Sequence, residues 1–168
     1  MLLFFSATFA AKSKSVMIQR IQTVYLTVAS LLGILALLNP VAIYLKGSEA
    51  VVLTPFSHTA EEVVDFAGAW PIGVLWVFCI AVLVATIFQF KNRPLQLKIT
   101  MSFTILLIAL GAMEFWIAMQ LGAALGEGYN ANYNWTIFLP FISAVLTFLA
   151  RLAIKKDEDL VRSVDRLR

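Results

Sequence analysis

Glu114 is the residue whose type and position most clearly suggest chemistry. It is the one ionisable side chain deep within a long apolar stretch of this sequence. A carboxyl group in hydrocarbon costs about 2.5 kcal/mol or more unless it is paired, protonated or facing water, so it is a functional-site hypothesis by default. The sequence therefore predicts that Glu114 faces the interior of a helix bundle.

Asn39 and Pro40 are the predicted partners of Glu114. At 1.5 Å per residue, Glu114 lies about 22 Å along the third predicted span and Asn39 about 21 Å along the first. Pro40 frees the carbonyl group of Ala36 and kinks the helix. We expect a protonated Glu114 to hydrogen-bond Asn39 or this carbonyl group and so to fasten the two spans. A proton or substrate relay is the alternative, although transporters usually carry several such groups.

Two stripes of small residues predict close helix packing. A spacing of three or four residues, with Glu114 between Gly111 and Ala118, keeps each stripe near one helical face, and small side chains let neighbouring helices approach. Hydroxyl groups in such stripes usually bond to their own backbone, so we assign them no catalysis. The stripes are Gly111, Ala118, Gly122 and Gly126 in the third span, and Thr23, Thr27, Ser30 and Gly33 in the first.

The sequence lacks the residues that most enzyme chemistries require. His58 is the only histidine and Cys79 the only cysteine, so we expect no disulfide framework, transition-metal site or bis-histidine haem within one chain. The sequence shows no Walker or dinucleotide loop and no nucleophile with a base in evident reach. We expect a protein that is not an enzyme, with no catalytic residues, cofactor or metal.

The elements that position these residues are membrane-spanning helices. Hydrophobic residues make up 61% of the 168 residues and charged residues 14%, whereas soluble domains have roughly 45–50% and about 25%. Stretches long enough to cross the bilayer must be helical, because unpaired backbone groups find no water there. The predicted spans are approximately residues 25–45, 70–90, 99–124 and 135–154. Short connections make the fold an all-α, integral membrane, up-and-down four-helix bundle.

The basic residues predict the orientation of these spans. Twelve of the 13 lysines and arginines fall before the first span, between the second and third, or at and beyond the end of the fourth, and only Lys46 lies opposite. By the positive-inside rule both termini are cytoplasmic. On the other side, Thr59-Ala60-Glu61-Glu62 fits a capping box that opens a short outer-loop helix. Ligand capture by Ser57, His58 and Thr59 is the alternative for this loop.

The N-terminal end of the chain is predicted to be dispensable, whereas the C-terminal end is predicted to form a helix. Residues 1–16 form a leader that we expect to be dispensable, with Met17 as the initiator and residues 17–168 as a single domain. Residues 155–168 form a cytoplasmic helical extension that either docks on the loop between the second and third spans, binds a cytoplasmic protein, or is simply solvated. The candidate docking residues are Arg93, Gln96, Asp157, Asp159, Arg162, Asp165 and Arg166.

Three stretches of sequence resemble a known family. They are Met17-Ile-Gln-Arg-Ile-Gln-Thr-Val-Tyr-Leu26, Phe90-Lys-Asn-Arg-Pro-Leu-Gln96, and Lys156-Asp-Glu-Asp-Leu-Val-Arg-Ser-Val-Asp-Arg-Leu-Arg168. They resemble the bacterial membrane proteins catalogued as domain of unknown function 4293. The resemblance implies a four-span protein of the Gram-negative inner membrane that opens at Met17. It implies no particular reaction or ligand.

Two functions are compatible with these features. The first is a non-enzymatic accessory or scaffold module that presents the inner loop and the C-terminal helix to a partner. The second is a small transporter or proton-coupled channel centred on Glu114. Expected partners are the lipid bilayer, a membrane or cytoplasmic protein, or further copies of the chain in a homo-oligomer, and no nucleic acid is expected.

Overall fold

The computed structural model describes residues 21–59, 69–89 and 92–165. Four helices within these ranges are long and apolar enough to cross a membrane, which confirms the predicted all-α membrane fold. The leader, residues 60–68 of the predicted outer-loop helix, and Arg166 lie outside the described residues. The helices are α1 (Ile21–Leu38), α2 (Trp70–Phe88), α3 (Arg93–Leu125) and α4 (Leu139–Asp165), the last preceded by a 3-10 turn (Trp135–Phe138).

The boundaries of α3 follow from residues that start and stop helices. The side chain of Asn92 accepts a hydrogen bond from the backbone N–H of Leu95 at 3.3 Å, and Pro94 occupies the first turn. Gly126 follows the last turn with φ +78°, a conformation that glycine adopts at little cost. Thus α3 is longer at its start than the predicted span. The apolar part of α4 likewise continues without a break into the predicted C-terminal extension.

The first span differs from its prediction at Pro40. Instead of kinking a helix that runs to residue 45, the proline follows the end of α1 at Leu38. Proline lacks an N–H and disfavours helical geometry at the preceding residue, so the chain leaves the helix here. The apolar residues after Pro40 form a β-strand, which the sequence analysis did not predict.

A small antiparallel sheet covers one end of the helices. Its strands are β1 (Ala42–Lys46), β2 (Glu49–Leu53) and β3 (Asn130–Tyr133), in the order β2-β1-β3. Gly47, with φ +60°, begins the two-residue turn between β1 and β2. Alternate residues of β1 and β2, among them Tyr44 and Leu53, are buried. We call this end of the bundle the sheet end, and the opposite end, where α2 ends and α3 begins, the tail end.

The four helices close into a ring, with each neighbouring pair in contact. Gly33 of α1 lies against α2, Gly111 of α3 lies against Phe141 of α4, and Ser143 of α4 donates a hydrogen bond to the carbonyl of Ala29 in α1 at 3.4 Å. The α2–α3 pair includes the tilted rings of Phe78 and Phe103, whose centroids are 5.7 Å apart.

The outer surface of the helix ring is largely apolar, whereas polar side chains are buried in its interior. In each span only a third to somewhat under half of the most apolar window is buried, and many large hydrophobic side chains point outward. Several polar side chains, among them Gln96, Glu114 and Ser143, are instead buried inside. Such a distribution suits helices whose outward faces are solvated by lipid, as in a multi-pass membrane protein.

Candidate functional site

Glu114 is buried in the bundle and is bonded to the second span. Its side chain is 1% exposed, and Oε1 accepts a hydrogen bond of 2.6 Å from the indole Nε1 of Trp76. Trp76, in α2, is itself completely buried. The inward orientation predicted for Glu114 is what the structure shows, but its partner lies on the second span and not on the first.

Asn39 and Pro40 make their hydrogen bonds elsewhere. Asn39 Nδ2 donates to the carbonyl of Leu35 at 2.8 Å, and the carbonyl of Pro40 accepts from Thr136 Oγ1 at 2.6 Å. The predicted match in depth failed because α1 ends before Asn39, which places this residue at the sheet end. The predicted cluster of Glu114, Asn39 and Pro40 is therefore corrected to a Glu114–Trp76 pair.

The second carboxyl oxygen of Glu114 is also buried. Among the described residues no group hydrogen-bonds Oε2. A buried polar atom without a partner costs about 1–3 kcal/mol, and a full negative charge costs more. The site therefore favours a neutral carboxyl group, with one oxygen held by the indole N–H.

Trp76 connects the Glu114 site to the first span. A Cβ atom added at Gly33 would lie 2.9 Å from Cζ3 of Trp76 and 2.8 Å from Cγ1 of Ile80. Only glycine permits this approach without displacing the indole ring. Glu114, Trp76 and Gly33 thus join α3, α2 and α1 through one continuous contact.

The small-residue face of α3 contacts two aromatic side chains from other parts of the fold. A Cβ atom at Gly111 would lie 2.7 Å from the ring of Phe141, and one at Gly122 would lie 3.1 Å from the ring of Tyr44. Ala118 is buried, as this face predicts. Gly126 is the exception, because no other atom lies within 4 Å of its Cβ position and it ends the helix rather than packing.

Tyr44 anchors the sheet to the bundle. Its hydroxyl group donates a hydrogen bond to the carbonyl of Ala118, one turn beyond Glu114. Burial, with a smaller contribution from the charge of Tyr133, raises the pKa of Tyr44 to about 12. The structure buries Tyr44 completely.

The predicted stripe along α1 is only partly an internal contact. Ser30 is buried, and its hydroxyl donates to the carbonyl of Leu26 at 2.9 Å. Thr27 is exposed and Thr23 is half-buried. Thus Ser30 and Gly33 face the bundle, whereas Thr27 faces outward.

At the tail end, an ion pair ties α4 to the start of α3. Arg93 Nη2 lies 2.9 Å from Asp157 Oδ2, with the Asp157 side chain 1% exposed. One turn further along α3, the buried Gln96 donates from Nε2 to the carbonyl of Thr86 at 3.0 Å. These three candidate docking residues therefore form internal contacts.

The other candidate docking residues are either exposed or outside the described part of the chain. Asp159 is exposed on α4. The side chains of Arg162 and Asp165 lie outside the described part of the chain, as does Arg166 altogether. Of the candidate docking residues whose side chains are described, only Asp159 is exposed, whereas Arg93, Gln96 and Asp157 make contacts within the bundle.

Trp76 as a partner of Glu114 and the burial of Tyr44 were not predicted from the sequence. The sequence feature that could have identified Trp76 is an indole N–H inside an apolar span. Trp76 lies six residues after Trp70, the first residue of that helix. A buried indole requires an acceptor, which an inward-facing carboxyl group provides. No group of three or more histidine, cysteine, aspartate and glutamate residues able to hold a metal ion is present among the described residues.

Comparison with known proteins gives one family. No curated protein matches the chain. The model of a family described as Domain of unknown function (DUF4293) matches residues 18–167, so the chain belongs to that family.

Proposed function

We propose that this protein is a non-enzymatic scaffold or accessory subunit of the bacterial inner membrane. Both termini lie in the cytoplasm, and the tail end presents the exposed face of α4 to a partner protein. Support for the orientation comes from the basic residues, which resist translocation and fall almost entirely at the tail end or in the terminal segments.

The single observation that carries this proposal is the Arg93–Asp157 ion pair. It fixes the charged C-terminal part of α4 to the start of α3. A merely solvated extension needs no such attachment. An extension held at a defined angle offers a preorganised surface, which lowers the entropy cost of binding.

The surface held in this way combines charges of both signs with apolar contacts. A shallow hollow of about 440 Å³ is lined by Leu152, Lys155, Lys156, Asp159, Leu160 and Ser163. Leucine side chains surrounded by lysine and aspartate suit a protein partner better than a purely basic site for anionic lipid would.

Site-specific photo-crosslinking in intact cells tests this proposal. A photoreactive amino acid at Leu160, which is 45% exposed, should attach one partner protein in stoichiometric amount. The charge reversal Asp159→Lys should reduce that product, whereas Glu127→Lys, an exposed change at the sheet end, should not. Attachment that is unaffected by Asp159→Lys, or attachment to lipid alone, would contradict the proposal.

A second function, proton-coupled transport at Glu114, is supported by the buried Oε2 atom. A carboxyl group with one oxygen bonded and the other without a described partner can exchange a proton if water reaches it. Proteoliposomes containing a pH-sensitive dye distinguish the two functions. Transport requires a proton flux that Glu114→Gln abolishes without loss of folding, whereas a scaffold gives the same dye signal for both proteins.

A further inference from the structure

A groove opens on the outward side of the bundle near its sheet end. It lies between α3 and the beginning of α4, next to the end of β3, and has a volume of about 280 Å³. Its lining residues present only apolar surface. They are Ala112, Phe115, Tyr133, Ile137, Phe138 and Phe141.

The walls of this groove are held in place by packing. Phe141 lies so close to Gly111 that a Cβ atom there would approach its ring to 2.7 Å. The rings of Phe115 and Tyr133 are tilted by 34°, with centroids 5.7 Å apart. Ile137 is buried at 3% exposure. Packing therefore holds the walls formed by Phe141, Phe115 and Ile137.

The position of the groove determines what kind of molecule surrounds it. Both α3 and the segment Trp135–Leu160 are membrane-spanning candidates, and the groove opens on their outward faces. Lipid hydrocarbon is the solvent at such a surface. Trp135 is 56% exposed at the start of this segment, where an indole ring suits the headgroup level.

The groove is small and entirely apolar, which suits part of one hydrocarbon chain. Its volume is just below the roughly 300–1,000 Å³ of pockets that hold drug-sized molecules. A single flexible chain makes contacts along the three phenylalanine rings without burying a polar atom. Dispersion contacts with a preformed aromatic surface favour an acyl chain in the groove over one in the surrounding bilayer.

We propose that this groove binds one acyl chain of a membrane phospholipid, taken from the leaflet at the sheet end. The proposal goes beyond the scaffold function and does not depend on it, because the groove lies at the opposite end of the bundle from Asp157 and Asp159. A bound chain would fill the space between α3 and α4 and stabilise their junction with the sheet.

Photolabelling with lipid tests the proposal on the full chain. The protein is reconstituted in vesicles of phosphatidylethanolamine and phosphatidylglycerol that contain a phospholipid with a diazirine in one acyl chain. After irradiation, mass spectrometry compares the labelling of Phe115 and Phe138 with that of Ile105 and Val77, which are similarly exposed apolar residues outside the groove. We expect preferential labelling in the groove.

Two variants connect the label with the groove itself. Ala112→Phe fills the groove from an exposed position and should reduce labelling there to the level of the reference residues. Ala109→Phe, at an exposed position of the same helix outside the groove, is the control and should retain the preference. Phe138→Ala removes a 61% exposed wall residue at little risk to folding and should also reduce the preference.

Three results would overturn the proposal. Labelling spread evenly over all exposed apolar residues would show ordinary surrounding lipid. Undiminished groove labelling in both Ala112→Phe and Phe138→Ala would show that these walls do not hold the chain. Exclusion of the label from the groove, with cross-links there between two copies of the protein, would identify a second copy as the occupant.

Discussion

Trp76 donates its indole N–H to the carboxyl group of Glu114 across 2.6 Å and thereby joins the second and third spans. The same indole ring packs on Gly33 of the first span. An ionisable residue that suggested chemistry is thus also a structural contact among three helices. Its role as a contact can be measured separately from any role in transport.

We predict that Glu114→Gln is tolerated and Glu114→Leu is not. Glutamine retains a carbonyl oxygen for the Trp76 N–H, whereas leucine leaves that donor buried without an acceptor, at a cost of about 1–2 kcal/mol. The single cysteine, Cys79, is buried in α2 and provides the readout. A thiol-reactive fluorophore added during heating should report a lower Tm for Glu114→Leu than for Glu114→Gln.

A double-mutant cycle provides the control for that result. With Trp76→Phe as background, Gln and Leu at position 114 should differ less than they do beside the native indole, because the donor is gone. Equal destabilisation by the two substitutions in both backgrounds would show that the hydrogen bond contributes nothing.

We predict that Gly33→Val destabilises the bundle by about 1–3 kcal/mol, as overpacking of a tight contact does. The added atoms must displace the Trp76 ring or Ile80. Ala109→Val, on the lipid-facing side of α3, is the matched control and should leave the Tm almost unchanged. A wild-type Tm for Gly33→Val would mean that α1 and α2 are not in close contact at Gly33.

We predict that Asp157→Asn loosens the tail end while Asp159→Asn does not. Removing one partner of a buried ion pair costs up to about 3–5 kcal/mol, and the partial exposure of Arg93 reduces that value. Hydrogen exchange of backbone amides between Lys155 and Asp165 should become faster in Asp157→Asn. The exchanged pair Arg93→Asp with Asp157→Arg should restore part of the protection, and unchanged exchange in Asp157→Asn would exclude the ion pair as an anchor.

We predict that the sheet end loses stability at high pH. The pKa of Tyr44 is about 12 in the folded protein and about 10 in an unfolded chain. The neutral hydroxyl therefore contributes about 2–3 kcal/mol to the free energy of unfolding below about pH 10. This contribution is lost as the pH rises through 12. Unfolding measured between pH 9 and 12 should show a steeper decline in wild type than in Tyr44→Phe, and parallel curves would contradict this assignment.

The spans were predictable from sequence because lipid imposes one rule on long apolar stretches, namely that they form helices. The sheet was not, because Ala42–Lys46 is apolar like a helix continuation and only Pro40 marks the change. The inward orientation of Glu114 followed from the cost of burying its charge. Its partner did not, because the end of α1 before Asn39 was not foreseen and Trp76 had been overlooked as a donor.

The orientation in the membrane determines which surface of this protein a cytoplasmic partner can reach. Measuring that orientation is therefore the most direct test of the proposed function. Green fluorescent protein and alkaline phosphatase are each fused after Arg168 and, in separate proteins, inserted between Gly47 and Ser48 in the β1–β2 turn. We predict fluorescence without phosphatase activity at the C-terminus, and phosphatase activity without fluorescence at the turn. The reverse pattern, or the same pattern at both sites, would contradict the account.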